Sequence, residues 1–305
     1  MRAFPAVVGL VLALSASAAI AAPPAFAPAK EAKPAPGWFD AGRAVNLGAV
    51  VVFAGLFLWF VRAGRKGRPL HLRPIAGLSA IDDAVGRAAE MGRPILFSPG
   101  LSDIGHPSTL ASMGLLSKVA ERAARLRARI IVPNYSPLVF PVTQSVVRAA
   151  FLRAGRPQNT DLADVSYLTS RSFTYAAAVA GSMVRERTAS NFLFGHFFSE
   201  ALILAETGAS TGAVQIGGTD SDAQLPFFIT TCDYTLIGEE LFAAAAMVSG
   251  DPVSRSTIKA HDAFKVLIVA CILLGLALSL AGVAGVDVAA ELAARLAASL
   301  RGAGR

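Results

Sequence analysis

The run Gly217-Gly218-Thr219-Asp220-Ser221-Asp222 has the residue types to hold a polar ligand. Two glycines let a backbone approach a ligand closely, and successive N–H groups in such a turn can hold an anion. Asp220 and Asp222 are spaced to share a divalent cation such as magnesium, because hard cations take carboxylate oxygens. The competing reading is a tight turn whose aspartates cap the next helix. Neither G-x-x-x-x-G-K-[ST] nor G-x-G-x-x-G occurs, so no nucleotide fingerprint names the cofactor.

Other candidate ligand-binding residues follow short apolar runs. His106 lies three residues after Asp103 in L-S-D-I-G-H-P, where a carboxylate can orient an imidazole for general-base work. His196 stands between Gly195 and two phenylalanines, with Glu200 four residues on. A histidine in so apolar a run also reads as a core residue. Ser98 stands in F-S-P-G and Cys232 in T-T-C-D-Y, and neither has an activating partner nearby in sequence. Asn134, Ser136, Ser170 and Arg171 complete the set. No catalytic residue and no metal ligand set is assigned.

These positions all fall at the ends of apolar runs that alternate with helical patterns. Strands are expected at Pro94–Ser98, Ile130–Val132, Val165–Thr169, Asn191–Phe197, Ala213–Ile216 and Asp233–Ile237. Helices are expected from Ser79 to Met91, Pro107–Arg127, Pro141–Ala154, Ser172–Arg187, Glu200–Glu206 and Glu239–Val248. Gln224–Ile229 reads either way. Continuous apolar strands between helices imply an α/β fold with a mostly parallel, doubly wound (Rossmann-like) sheet. Ligands of such sheets sit beyond the carboxyl ends of the strands, which is where the candidates gather.

The composition adds a membrane. Of 305 residues, 54% are hydrophobic and only 16% charged, too apolar for an ordinary soluble domain. Residues 1–22 have the pattern of a signal peptide, or of a signal anchor, and 23–43 form a Pro/Ala-rich spacer. Residues 44–62 and 266–286 are long enough to cross a bilayer, and 287–305 form a short amphipathic tail. Arg62, Arg65, Lys66 and Arg68 follow the first span; Lys259, His261 and Lys265 precede the second. Both clusters place the region between, 63–262, in the cytoplasm by the positive-inside rule. The expected location is the bacterial inner membrane. Three arginines in the tail oppose the rule mildly.

The net charge of +7 follows these clusters. No basic patch with interleaved aromatics appears, so no nucleic-acid partner is expected. Lys118, Arg122, Arg125 and Arg129 are spaced to share one helix face, which can meet anionic lipid or simply face solvent. Two distant cysteines make neither a zinc motif nor a disulfide framework.

The segments Glu206–Glu240, with Q-I-G-G-T-D-S-D-A-Q-L-P at its centre, and Gly86–Gly100 (G-R-A-A-E-M-G-R-P-I-L-F-S-P-G) resemble a bacterial membrane-protein family described as a domain of unknown function. The resemblance covers most of residues 70–262. It implies a membrane-attached α/β domain and transfers no catalytic residue. The expected function is a membrane-tethered cytoplasmic binding or assembly module in a membrane complex, with lipid and homo-oligomeric or membrane-protein partners. The alternative is a nucleotide- or phosphometabolite-binding protein or enzyme that uses the crevice around Gly217–Asp222.

Overall fold

The computed structural model describes residues 44–65, 75–157, 163–250 and 252–283. The expected signal peptide, spacer and amphipathic tail, together with Lys66 and Arg68, lie outside the described residues. The chain divides into two compact units, one comprising His71–Asp251 and the other the segments on either side of it.

The His71–Asp251 unit alternates helix and strand. It runs through α2 (Ala76–Met91), β1 (Ile95–Ser98), α3 (Pro107–Leu126), β2 (Ile130–Asn134), α4 (Val139–Arg153) and β3 (Ala163–Tyr167). It continues with α5 (Ser172–Glu186), β4 (Ser190–Phe194), α6 (Ala201–Ser210), β5 (Val214–Thr219), α7 (Leu225–Thr231), β6 (Tyr234–Ile237) and α8 (Glu239–Ser249). The six strands form one sheet in the order β3-β2-β1-β4-β5-β6, and every pairing is parallel. This is the strand order of the doubly wound dinucleotide-binding folds, with its reversal between β1 and β4.

Side chains alternate across each strand, so one strand feeds two cores. Ile95, Phe97, Phe192 and Phe194 enter a core covered by α2, α3, α4 and α8. Leu96 and Leu193 enter the other, covered by α5, α6 and α7. Both faces are therefore dry, which explains the unbroken apolar runs of the central strands.

Some boundaries differ from the expected ones for clear reasons. β5 runs through Gly217 and Gly218, which the sequence places in a turn. They pair with Leu193 and Phe194 inside the sheet. A Cβ on Gly217 would lie 2.7 Å from Phe228 Cδ1 and 2.9 Å from Cys232 Sγ; one on Gly218 would lie 3.0 Å from Leu236 Cβ and from Phe194 Cδ1. Neighbouring side chains claim that space, so these glycines serve packing. β4 stops at Phe194 because Gly195 turns the chain with φ 137°. The ambiguous Gln224–Ile229 is helical, with Pro226 in its first turn.

Tyr175 ties the carboxyl ends of two strands to α5. Its fully buried hydroxyl donates to the Pro133 carbonyl (3.0 Å) and accepts from Ser98 Oγ (2.9 Å). Burial raises the phenol above its ordinary pKa. The folded chain thus holds this proton more tightly than the unfolded chain does.

The other unit contains α1 (Ala44–Arg65) and α9 (Pro252–Val283), which pack on each other. Phe53 meets His261 and Phe264 edge-on, at centroid separations of 5.3 and 5.1 Å. Leu47–Arg65 and Val253–Ala277 are long and apolar enough to cross a membrane, by length and composition alone.

Tyr175→Phe should lower stability by about 1–3 kcal/mol, because it orphans two buried oxygens. The Tyr175 contribution is complete below the unfolded phenol value of about 10 and declines as pH rises beyond it. Urea unfolding across alkaline pH should therefore show a shallower fall for the variant than for the parent.

Candidate functional site

The loops after β1, β4 and β5 meet at the carboxyl edge of the sheet, where the strand order reverses. They are stitched together by backbone. The Leu101 N–H donates to the His196 carbonyl at 2.8 Å, and the Gly195 N–H donates to the Gly218 carbonyl at 3.0 Å. This approach needs glycine on both sides. A Cβ on Gly195 would lie 2.3 Å from the Pro99 oxygen; one on Gly100, at φ 87°, would lie 2.8 Å from the His196 nitrogen and oxygen. Backbone therefore closes the gap between β1 and β4 at this point.

Above the crossing, one residue from each loop converges. His196 Nδ1 lies 2.8 Å from Asp220 Oδ1, and His106 Nδ1 lies 3.7 Å from Asp220 Oδ2. The two imidazoles face each other, with centroids 4.5 Å apart and planes at 43°. Each of the three residues can offer one donor atom such that all three atoms lie within 4.8 Å of one another. Their side chains are 34%, 22% and 20% exposed for His106, His196 and Asp220, so the group is held in place yet open to solvent.

Local bonds fix each member. His106 is the residue before α3, and Pro107 opens that helix. Its N–H donates to the Asp103 carbonyl (3.0 Å), and its Nδ1 lies 2.7 Å from Ser108 Oγ. Thr219 shapes the Asp220 turn: its Oγ1 accepts the Ser221 N–H at 3.1 Å and its carbonyl accepts the Gly238 N–H at 3.1 Å. Phe198 packs edge-on against His196 at 4.9 Å. Such a group suits two kinds of chemistry. A carboxylate-oriented histidine can move protons, and two imidazoles with one carboxylate can coordinate a metal.

The remaining candidates have other work. The Asp103 carboxylate accepts from Ser136 Oγ, so the D-x-x-H spacing positions His106 through a backbone carbonyl while the carboxylate goes elsewhere. Ser98 is bonded to Tyr175. Asn134 is buried, donating to the Val132 and Ser166 carbonyls and accepting from Thr143 Oγ1. Glu200 is buried and accepts the Phe198 N–H at 3.1 Å. Ser170 donates to the Tyr135 carbonyl, and Arg171 precedes α5. Asp222 is exposed and does not join the His106–His196–Asp220 group. Burial pushes the Cys232 thiol up to about 12, which makes it a poor nucleophile at neutral pH.

Lys118, Arg122 and Arg125 lie on α3, whereas Arg129 falls beyond the helix, which ends at Leu126 with Arg127 as a left-handed cap; all four are matched within the same unit. Lys118 pairs with Asp82 at 2.9 Å and Arg122 with Asp82 at 4.0 Å. Arg125 pairs with Glu121, and Arg129 with Glu186 (2.7 Å) and Asp164 (3.6 Å). Arg62 and Arg65 sit in the last turn of α1. A groove of about 430 Å³, lined in part by Asp83, Arg87, Asp233 and Tyr234, opens beside the amino ends of β5 and β6. That is the opposite end of the sheet from the histidines, and the convergence of donors makes the histidine end the better candidate.

Ser108 and Phe198, which flank the histidines, carry no sequence signal beyond adjacency to them. Gly195→Ala should destabilise the domain by more than about 2 kcal/mol, because backbone on both sides must move and the residue is left-handed. Chemical denaturation would measure this, and Gly105→Ala, where nothing lies within 4 Å, is the matched control.

No curated protein and no solved structure matches the chain significantly. A family model described as Domain of unknown function (DUF6754) matches residues 34–290, and the chain belongs to that family.

Proposed function

We propose that the protein is a membrane-tethered binding module of the bacterial inner membrane whose cytoplasmic, Rossmann-like α/β domain takes a polar ligand at the strand ends. The observation that carries this reading is the convergence of His106, His196 and Asp220 from three separate loops at the reversal of the strand order. Ligands of such sheets collect at that point.

The tether is supported by two apolar helices on either side of the domain in sequence. Their flanking cations, Arg62 and Arg65 after the first and Lys259 and Lys265 before the hydrophobic part of the second, support a cytoplasmic domain by the positive-inside rule. A ligand-responsive domain fixed at the membrane suits an assembly role with membrane-protein partners or further copies of itself. Gly275 and the alanines of the second span are small enough for close helix packing.

A nucleotide or phosphometabolite is the second reading, favoured by the strand order. The backbone closure at Gly100 and Gly195 narrows the place where a dinucleotide pyrophosphate lies in that fold. A smaller anion beside His106 is the better fit.

Reporter fusions near Gly155 should read as cytoplasmic; a periplasmic signal there would overturn the topology. A thermal-shift screen of the metal-stripped, detergent-solubilised full chain against phosphometabolites, nucleotides and carboxylates should find a stabilising ligand. Asp220→Ala should abolish that shift. The binding reading fails if no compound stabilises the parent protein.

A further inference from the structure

We infer that His106, His196 and Asp220 form an open site for a divalent transition-metal ion of the zinc class. The inference rests on the strand-end group being the binding site, and it names what that group holds.

The donor set decides the class of ion. Two imidazole nitrogens and one carboxylate oxygen suit zinc, iron, cobalt or nickel better than magnesium or calcium, which prefer oxygen alone. The sequence pairs Asp220 with Asp222 for a hard cation. The fold instead leaves Asp222 outside the group and brings in two histidines. Three protein ligands are one fewer than a closed structural zinc site uses, so a position stays free for water or a ligand atom. The part-exposed side chains keep that position accessible.

The distances fit a site that tightens on loading. Bonds of 2.0–2.2 Å in a tetrahedral set place donor atoms roughly 3.3 Å apart. The His196–Asp220 and His106–Asp220 separations, 2.8 and 3.7 Å, lie on either side of that value. Small side-chain rotations close the difference while the backbone crossing holds the loops. His106 Nδ1 also meets Ser108 Oγ at 2.7 Å, a contact that an ion bound at this nitrogen would replace.

Charge points the same way. Among the described residues no lysine or arginine pairs with Asp220; its ion-pair partners are the two histidines. A divalent ion among the three would meet the carboxylate charge with donor atoms already gathered around it.

Titration of the chelator-stripped, detergent-solubilised full chain with zinc should give one ion per chain and a rise in melting temperature. Cobalt(II) should develop the intense visible bands of a low-coordinate nitrogen and oxygen site. His106→Ala, His196→Ala and the isosteric Asp220→Asn should each weaken zinc on the order of 100-fold or more. Asp222→Asn and His261→Ala should leave it unchanged. Absence of binding, a cobalt spectrum of the hexa-aqua type, or zinc affinity that survives Asp220→Asn in a chain melting like the parent would overturn the inference. If small ligands still stabilise the metal-free protein while zinc and cobalt do not bind, the metal assignment alone fails. If zinc binds and no small ligand does, the metal assignment stands and the broader reading fails.

Discussion

Two side chains that do not exist hold the centre of this domain together. Gly100 and Gly195 let the loops leaving β1 and β4 cross at backbone distance, so that the Leu101 N–H reaches the His196 carbonyl. A larger residue at either place meets backbone, which cannot swing aside as a flexible side chain would. Everything above the crossing inherits its position from it. His196 itself supplies the hydrogen-bonded carbonyl. Asp220 follows the strand whose Gly218 carbonyl receives the Gly195 N–H. The same crossing that narrows the usual cofactor crevice also fixes the geometry of the histidine–aspartate group.

Below that edge the central strands are dry on both faces, and several buried polar side chains are bonded internally, while Asn191 Nδ2 and Gln215 Oε1 are buried without a partner. Tyr175, Ser98 and the Pro133 carbonyl form one closed set; Asn134, Thr143 and the Ser166 carbonyl form another. Each cation of the basic stripe, on α3 or just beyond it at Arg129, has an acidic partner, most of them half-exposed, where an ion pair contributes at most about 1 kcal/mol. Those pairs orient helices more than they stabilise them. Against this background, the three converging residues stand apart because they come from separate loops and remain part-exposed.

Much of the fold is legible in the sequence because a parallel sheet covered on both faces writes itself as short unbroken apolar runs. Ile95–Ser98 and Ser190–Phe194 lie where such runs occur, and Gly92 ends α2 as a left-handed cap. Glycine is ambiguous from sequence alone. Gly217 and Gly218 sit before a polar run and look like a turn, yet the strand continues through them because Phe228, Cys232, Leu236 and Phe194 fill the space around them. Such a cause is tertiary and leaves no local trace. All three converging residues were visible as candidates, but their partnership depends on strand order. Asp103 is near His106 in sequence and Asp222 is near Asp220; the fold instead joins His106 to Asp220 across more than a hundred positions.

The all-parallel pairing also governs how the domain is made. β1 is central, and its neighbour β4 is encoded almost a hundred residues later, with Ile95 opposite Ser190. Contacts so far apart in sequence are slow to form, since a long loop must close before any of them is rewarded. A chain emerging from the ribosome therefore presents strands β1 to β3 with one edge of the apolar β1 unpaired until β4 arrives. During that interval the nascent domain is a sticky half-sheet. Its assembly is paced by synthesis of the second half.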